Sequence, residues 1–163
     1  MSSGDVRGLY FEQYEIGMEI TSQGRTITEA DISAFAGLSG DYNQIHTDAV
    51  YASNSAFGQR VVYGLLVISI VSGLAVQTGF MEGTVIAFRE ISQWKFSSPV
   101  FIGDTVTVVI KVTNTKKMSR LNGGAVTFSL NVYNQNDAVV QRGEWVILLK
   151  SRTKHDITMY FSN

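Results

Sequence analysis

The chain contains no cysteine, one proline (Pro99) and two histidines, His46 and His155, in 163 residues. Without thiols there can be no disulfide staple, no thiolate metal site and no cysteine nucleophile. Two histidines more than a hundred positions apart do not make a His-rich ligand set, so no metal site is expected. Net charge is also scarce. Thirteen basic residues against 14 acidic ones give −1. That balance lacks the basic face a phosphate backbone requires, and no nucleic-acid partner is expected. The stretch Met1 to Gly8 has no basic start followed by an apolar run and does not read as a secretory signal. A cytoplasmic location follows by default.

What is present reads as one globular domain. Hydrophobic residues make up 45% and charged residues 17%, and the length suffices to bury a core without covalent staples. Residues 1–10 read as a loose arm and residues 151–163 as a tail, leaving 11–150 as the domain. In the tail, the apolar Ile157–Phe161 suits docking on a neighbour, and His155-Asp156 reads as solvated. Val61 to Met81 contains no charge and is long enough to span a bilayer. It also contains Tyr63, Ser69, Ser72, Gln77 and Thr78, and sheet-like sequence follows it. The better reading is a helix from Gly64 to about Thr78, buried on nearly all sides, with no membrane partner.

Ahead of that helix, a strand is expected around Glu19–Arg25. A helix over Glu29–Leu38 has a capping box at Thr28 and Asp31. Another short helix fits 47–56, with Thr47-Asp48 as its cap. After it, Thr84–Phe96, Thr105–Thr113, Gly124–Tyr133 and Ala138–Leu149 are rich in β-branched and aromatic residues. Turn signals separate them, which predicts an antiparallel meander. Pro99 falls between two strands, where its missing N–H does little harm. The order implies an α+β fold, with a curved sheet wrapped around the long apolar helix.

The chemistry concentrates in Gly40-Asp41-Tyr42-Asn43-Gln44-Ile45-His46-Thr47-Asp48. A carboxylate and an imidazole in one folded loop can work as coupled acid and base, and the imidazole titrates in the useful range. On these residues alone, a simple turn is the commoner explanation. Gly64, at the start of the long helix, offers backbone N–H groups and the positive end of the helix dipole. By itself it reads more readily as a flexible way into the helix.

The longer pattern decides between these readings. Asp41-x-Asn43 with His46-x-Asp48, then Phe57-Gly58, Tyr63-Gly64-Leu65-Leu66 and Pro99-Val100-x-x-Gly103-Asp104-Thr105, resembles the MaoC-like (R)-specific enoyl-CoA hydratases. The resemblance covers about residues 11–150. It implies a single hot-dog domain that adds water to an enoyl-CoA, with coenzyme A as part of the substrate and no further cofactor. It makes Asp41 and His46 the catalytic pair and Asn43 a brace of their loop. It places Gly64 at the oxyanion position, Ser72 beside the site and Tyr63 next to the thioester. It also implies a homodimer or an assembly of dimers. Gln44 stands where the family commonly has proline, and Tyr63 where it commonly has histidine. Three rivals are a dehydratase of a branched or dicarboxylic acyl-CoA, a hot-dog thioesterase and a non-catalytic acyl-binding module. Many hot-dog thioesterases carry a carboxylate on the central helix, and Gly64–Gly79 has none.

Overall fold

The computed structural model describes residues 7–152. The tail from 153 onward, with His155-Asp156 and Ile157–Phe161, lies outside the described residues. The strands are β1 (Glu19–Thr21), β2 (Arg25–Thr26), β3 (Val85–Phe96), β4 (Thr105–Met118), β5 (Gly123–Tyr133) and β6 (Val139–Lys150). The helices are α1 (Glu29–Ser39), α2 (Gln44–Thr47), α3 (Ala49–Ser53) and α4 (Gly64–Gln77). Of the stretch read as a loose arm, Gly8 and Leu9 are pinned, their N–H groups donating to the carbonyls of Glu82 and Phe80.

All the strands pair antiparallel in the order β1-β4-β5-β6-β3, with β2 also on β4. Two expectations need correction. The strand foreseen over Glu19–Arg25 is two pieces. At the break, the Ser22 hydroxyl accepts the Val108 N–H at 3.0 Å, replacing a ladder carbonyl. The meander is also incomplete, because β3 pairs with β6 rather than with β4. Residues 97–104 do not turn back after β3 but cross to β4. Along the way Ser97 donates to Val140, Val100 accepts from Val62, and Phe101 bridges to Val61.

Helix α4 lies against this sheet. Leu66, Val67, Ile70, Val71, Leu74 and Ala75 are buried and join the inward residues of β4, β5 and β6 in one core. The expectation of burial on nearly all sides fails on one stripe. Leu65 and Val76 are 63% and 56% exposed, and Ser69, Ser72 and Gly73 between them are exposed too. A single sheet covers only one side of a helix, and the described residues supply no second layer there. At 14 residues, α4 is short of the roughly 20 that a membrane crossing takes. No described helix is long and apolar enough to cross a membrane.

The expected capping box is present. Thr28 Oγ1 accepts the Asp31 N–H, and Asp31 Oδ2 accepts the Thr28 N–H at 2.8 Å. Arg25 pairs with the same carboxylate. Burial opposes the charge on Asp31, but the Thr28 bonds and Arg25 outweigh it and hold the pKa below the ordinary value. A depressed carboxylate contributes stability above its unfolded pKa, about 3.9 for Asp, and loses it as pH falls through the folded value. Wild type should therefore melt above Asp31→Asn at pH 6, and the gap should close as pH drops below about 4. Melting curves across that range that keep a constant gap would contradict this assignment.

Candidate active site

The loop after α1 is built by short-range hydrogen bonds. Gly40 ends α1 at φ +72, a conformation that suits glycine, and turns the chain away. Asp41 Oδ1 accepts the Asn43 N–H at 3.0 Å, and Asn43 Oδ1 accepts the Ile45 N–H at 3.2 Å, which starts α2. Asn43 thus joins the loop to the start of α2. Asp48 ends α2 and caps α3, accepting the Val50 and Tyr51 N–H groups at 2.9 Å. Its carboxylate is committed to structure.

His46 lies in α2, half-buried, with Nδ1 2.7 Å from the carbonyl oxygen of Val61. A carbonyl only accepts, so Nδ1 carries the proton, and in the neutral ring Nε2 is the bare nitrogen. Val61 is itself fixed. Its N–H donates to Ile45, and the next residue, Val62, donates to Val100 at 2.8 Å. Arg60, one step earlier, makes a two-pronged ion pair with Glu29 at the start of α1. No hydrogen bond or ion pair links Asp41 to His46 among the described residues. The loop therefore presents two separate acceptors, a carboxylate and an imidazole nitrogen.

Tyr63 lies behind them. It is 2% exposed, its ring centroid is 3.9 Å from that of His46, and its hydroxyl donates to the Asp41 backbone carbonyl at 2.6 Å. Phe35 of α1 supports its other contacts, with centroids 5.0 Å apart. Burial first, then the proximity of Asp41 and Tyr42, raises the Tyr63 pKa, so the phenol stays protonated and remains a donor. The resemblance implied a substrate contact at this position. The structure instead puts the side chain under the loop.

Gly64 opens α4 with no side-chain cap, so the first N–H groups of the helix have no partner within it. A cleft of about 420 Å³ lies at this end, with Gly64, Leu65, Phe96, Ser98, Val100 and Gln141 among its walls. The Phe96 ring lies directly over Gly64. A Cβ added at Gly64 would be 2.5 Å from a ring carbon, so any larger residue there must displace that ring. Gln141, 2% exposed, donates to the Gly64 carbonyl and accepts from Trp94 Nε1, each at 3.1 Å. Sequence reasoning missed both Phe96 and Gln141. Each sits in a strand whose pattern accounts for it, and nothing local marks either as a cleft residue. Ser72 is exposed two turns farther along α4, on its open face, and the fold does not bring it to this cleft.

Comparison with known proteins places the chain in a family. Residues 11–134 match the family described as MaoC like domain. The chain is 33% identical over 120 residues to the (R)-specific enoyl-CoA hydratase of Aeromonas caviae, covering 74% of this chain and 84% of that protein. The solved (R)-hydratase from A. caviae superposes with a TM-score of 0.70 at 30% identity, covering 86% of this chain and 99% of the other. Protein MaoC of Klebsiella aerogenes is 43% identical over 99 residues, 61% of this chain, but the match spans only 29% of that longer protein. A Mycobacterium tuberculosis protein described as a double hotdog fold superposes with a TM-score of 0.79, covering 92% of this chain and 46% of the other. At 17% identity, it is similar in fold alone. The fold here is accordingly a single hot-dog domain.

The hydrogen bond to Val61 makes a spectroscopic prediction. Nitrogen-15 NMR of the neutral His46 ring should show a proton on Nδ1 and none on Nε2. The opposite tautomer would remove the bare Nε2 from the site.

Proposed function

The chain belongs to the MaoC-like domain family, and from that premise we propose that it is a hydro-lyase. It adds water reversibly across the 2,3 double bond of an enoyl-CoA and yields the (R)-3-hydroxyacyl-CoA. The observation that carries this reading is the Nδ1–Val61 bond. It leaves a bare Nε2 five residues along the same braced loop from Asp41, on a ring that lies against Tyr63, the residue before α4. In this reading, one water bridges Asp41 and His46 Nε2. As its oxygen bonds to C3, Nε2 takes one of its protons and the imidazolium returns that proton to C2. The Asp41 carboxylate accepts the other O–H and balances the transient positive charge. Negative charge gathers on the thioester oxygen, where the Gly64 N–H and the dipole of α4 stabilise it. Coenzyme A enters as part of the substrate, and these steps call for no metal or redox cofactor. A branched or dicarboxylic acyl group would use the same chemistry in a different pocket.

The exposed surfaces support a homodimer, or a multiple of one. Strand β3 is an edge, and Val85, Ile86, Phe88 and Ile91 on it are 39–47% exposed. An apolar open edge is a template for another strand. The open face of α4 carries Leu65 and Val76 as well. A second copy pairing through β3 would cover such an edge with closed symmetry. Light scattering at micromolar concentration should give the mass of a dimer or a multiple. A stable monomer would refute the assembly.

The site is tested by Asp41→Asn and His46→Gln, both near-isosteric. Each should lower kcat for enoyl-CoA hydration by roughly 10²- to 10⁴-fold with the melting curve little changed. If either folded variant keeps most of its turnover, the pair is misassigned.

A further inference from the structure

We infer that Tyr63 is a positioning residue that locks Asp41 and His46 into one unit. This rests on reading those two residues as the catalytic pair. Three observations converge on it. The phenol ring lies against the His46 imidazole, with centroids 3.9 Å apart and planes 33° apart. The hydroxyl donates to the backbone carbonyl of Asp41 at 2.6 Å, across 22 positions of chain. The side chain is 2% exposed, so it lies in the wall behind the pair and not on its solvent side.

The two contacts restrain the His46 ring and the Asp41 backbone together. Nδ1 is tied to Val61, yet one hydrogen bond leaves the ring free to swing about that contact. A flat surface at 3.9 Å limits the swing and so sets where Nε2 lies. The Asp41 backbone follows a left-handed glycine, Gly40, and its carboxylate is held only by the turn it makes with Asn43. Tyr63 ties that backbone from outside the loop. Tyr63 is also the N-cap of α4 and immediately precedes Gly64. A single residue therefore registers the carboxylate, the imidazole and the helix end against one another. Misplacing reacting groups by about an ångström can cost on the order of 10²-fold in rate.

The test measures kcat and KM for crotonyl-CoA in four single variants, with melting curves. Tyr63→Phe keeps the ring and loses the tie to Asp41. Tyr63→Leu loses both. Asp41→Asn and His46→Gln report on the underlying pair. Tyr63→Phe should lower kcat by about 10-fold and Tyr63→Leu by about 10²-fold, each with KM within about twofold of wild type. A double variant separates positioning from plain support of the fold. In the His46→Gln background, Tyr63→Leu should cost less than about threefold, because a group acting through His46 has little left to position. The inference fails if Tyr63→Phe retains full turnover, if KM rises with kcat unchanged, or if the Tyr63→Leu loss recurs in full in the double variant. Should Tyr63→Leu not fold, Tyr63→Phe in the wild-type and Asp41→Asn backgrounds makes the corresponding comparison, its loss shrinking when the carboxylate it positions is gone. Normal turnover by His46→Gln alone would instead sink the reading of the pair, and the inference with it.

Discussion

The carbonyl of Val61 can only accept a hydrogen bond, and much of the site follows from that. It fixes the proton of the neutral His46 on Nδ1 and leaves Nε2 bare. The oxygen can do this because the segment carrying it is held on both sides. The Val61 N–H donates back to Ile45, and Val62 donates to Val100 on the connection to β4. The α2 loop, the approach to α4 and the crossing between β3 and β4 are thus laced together at one point. The tautomer of the neutral His46 is thus set by backbone geometry.

The same lacing explains why the long helix begins where it does. Val62 is bonded to the connection between β3 and β4, Tyr63 is buried, and α4 starts at Gly64 with its first N–H groups uncapped. Burial of Leu66, Val67, Ile70, Val71, Leu74 and Ala75 holds the helix on the sheet. At about 1.5–3 kcal/mol for each large apolar side chain, that burial readily offsets a missing cap, typically worth about 1 kcal/mol. The uncapped end is thus affordable, and it is where a developing negative charge would find donors.

What could be read from the sequence was mostly what is local. The capping box of Thr28 and Asp31 involves residues three positions apart, and it is present. The long apolar helix and the β-rich second half were legible from composition and period. The partners of elements far apart in sequence were not. Nothing within Val85–Phe96 indicates that β3 pairs with β6, and nothing in Gly64–Gln77 marks the stripe through Leu65, Ser72 and Val76 as open. Ser22 splits a strand because its own hydroxyl replaces a ladder acceptor, and many serines do no such thing. Val61 acts through its backbone, which leaves no signature in the side chain. Tyr63 stood out only as a departure from the hydratase pattern, and its position under His46 required the fold.

The central claim is that the Asp41–His46 loop delivers a water to C3 of an enoyl thioester. Turnover of an enoyl-CoA in heavy-oxygen water, followed by mass spectrometry of the products, tests it most directly. The account predicts an intact CoA thioester carrying one heavy oxygen as the C3 hydroxyl. Free acid with the label in its carboxylate, or no labelled thioester at all, would contradict it.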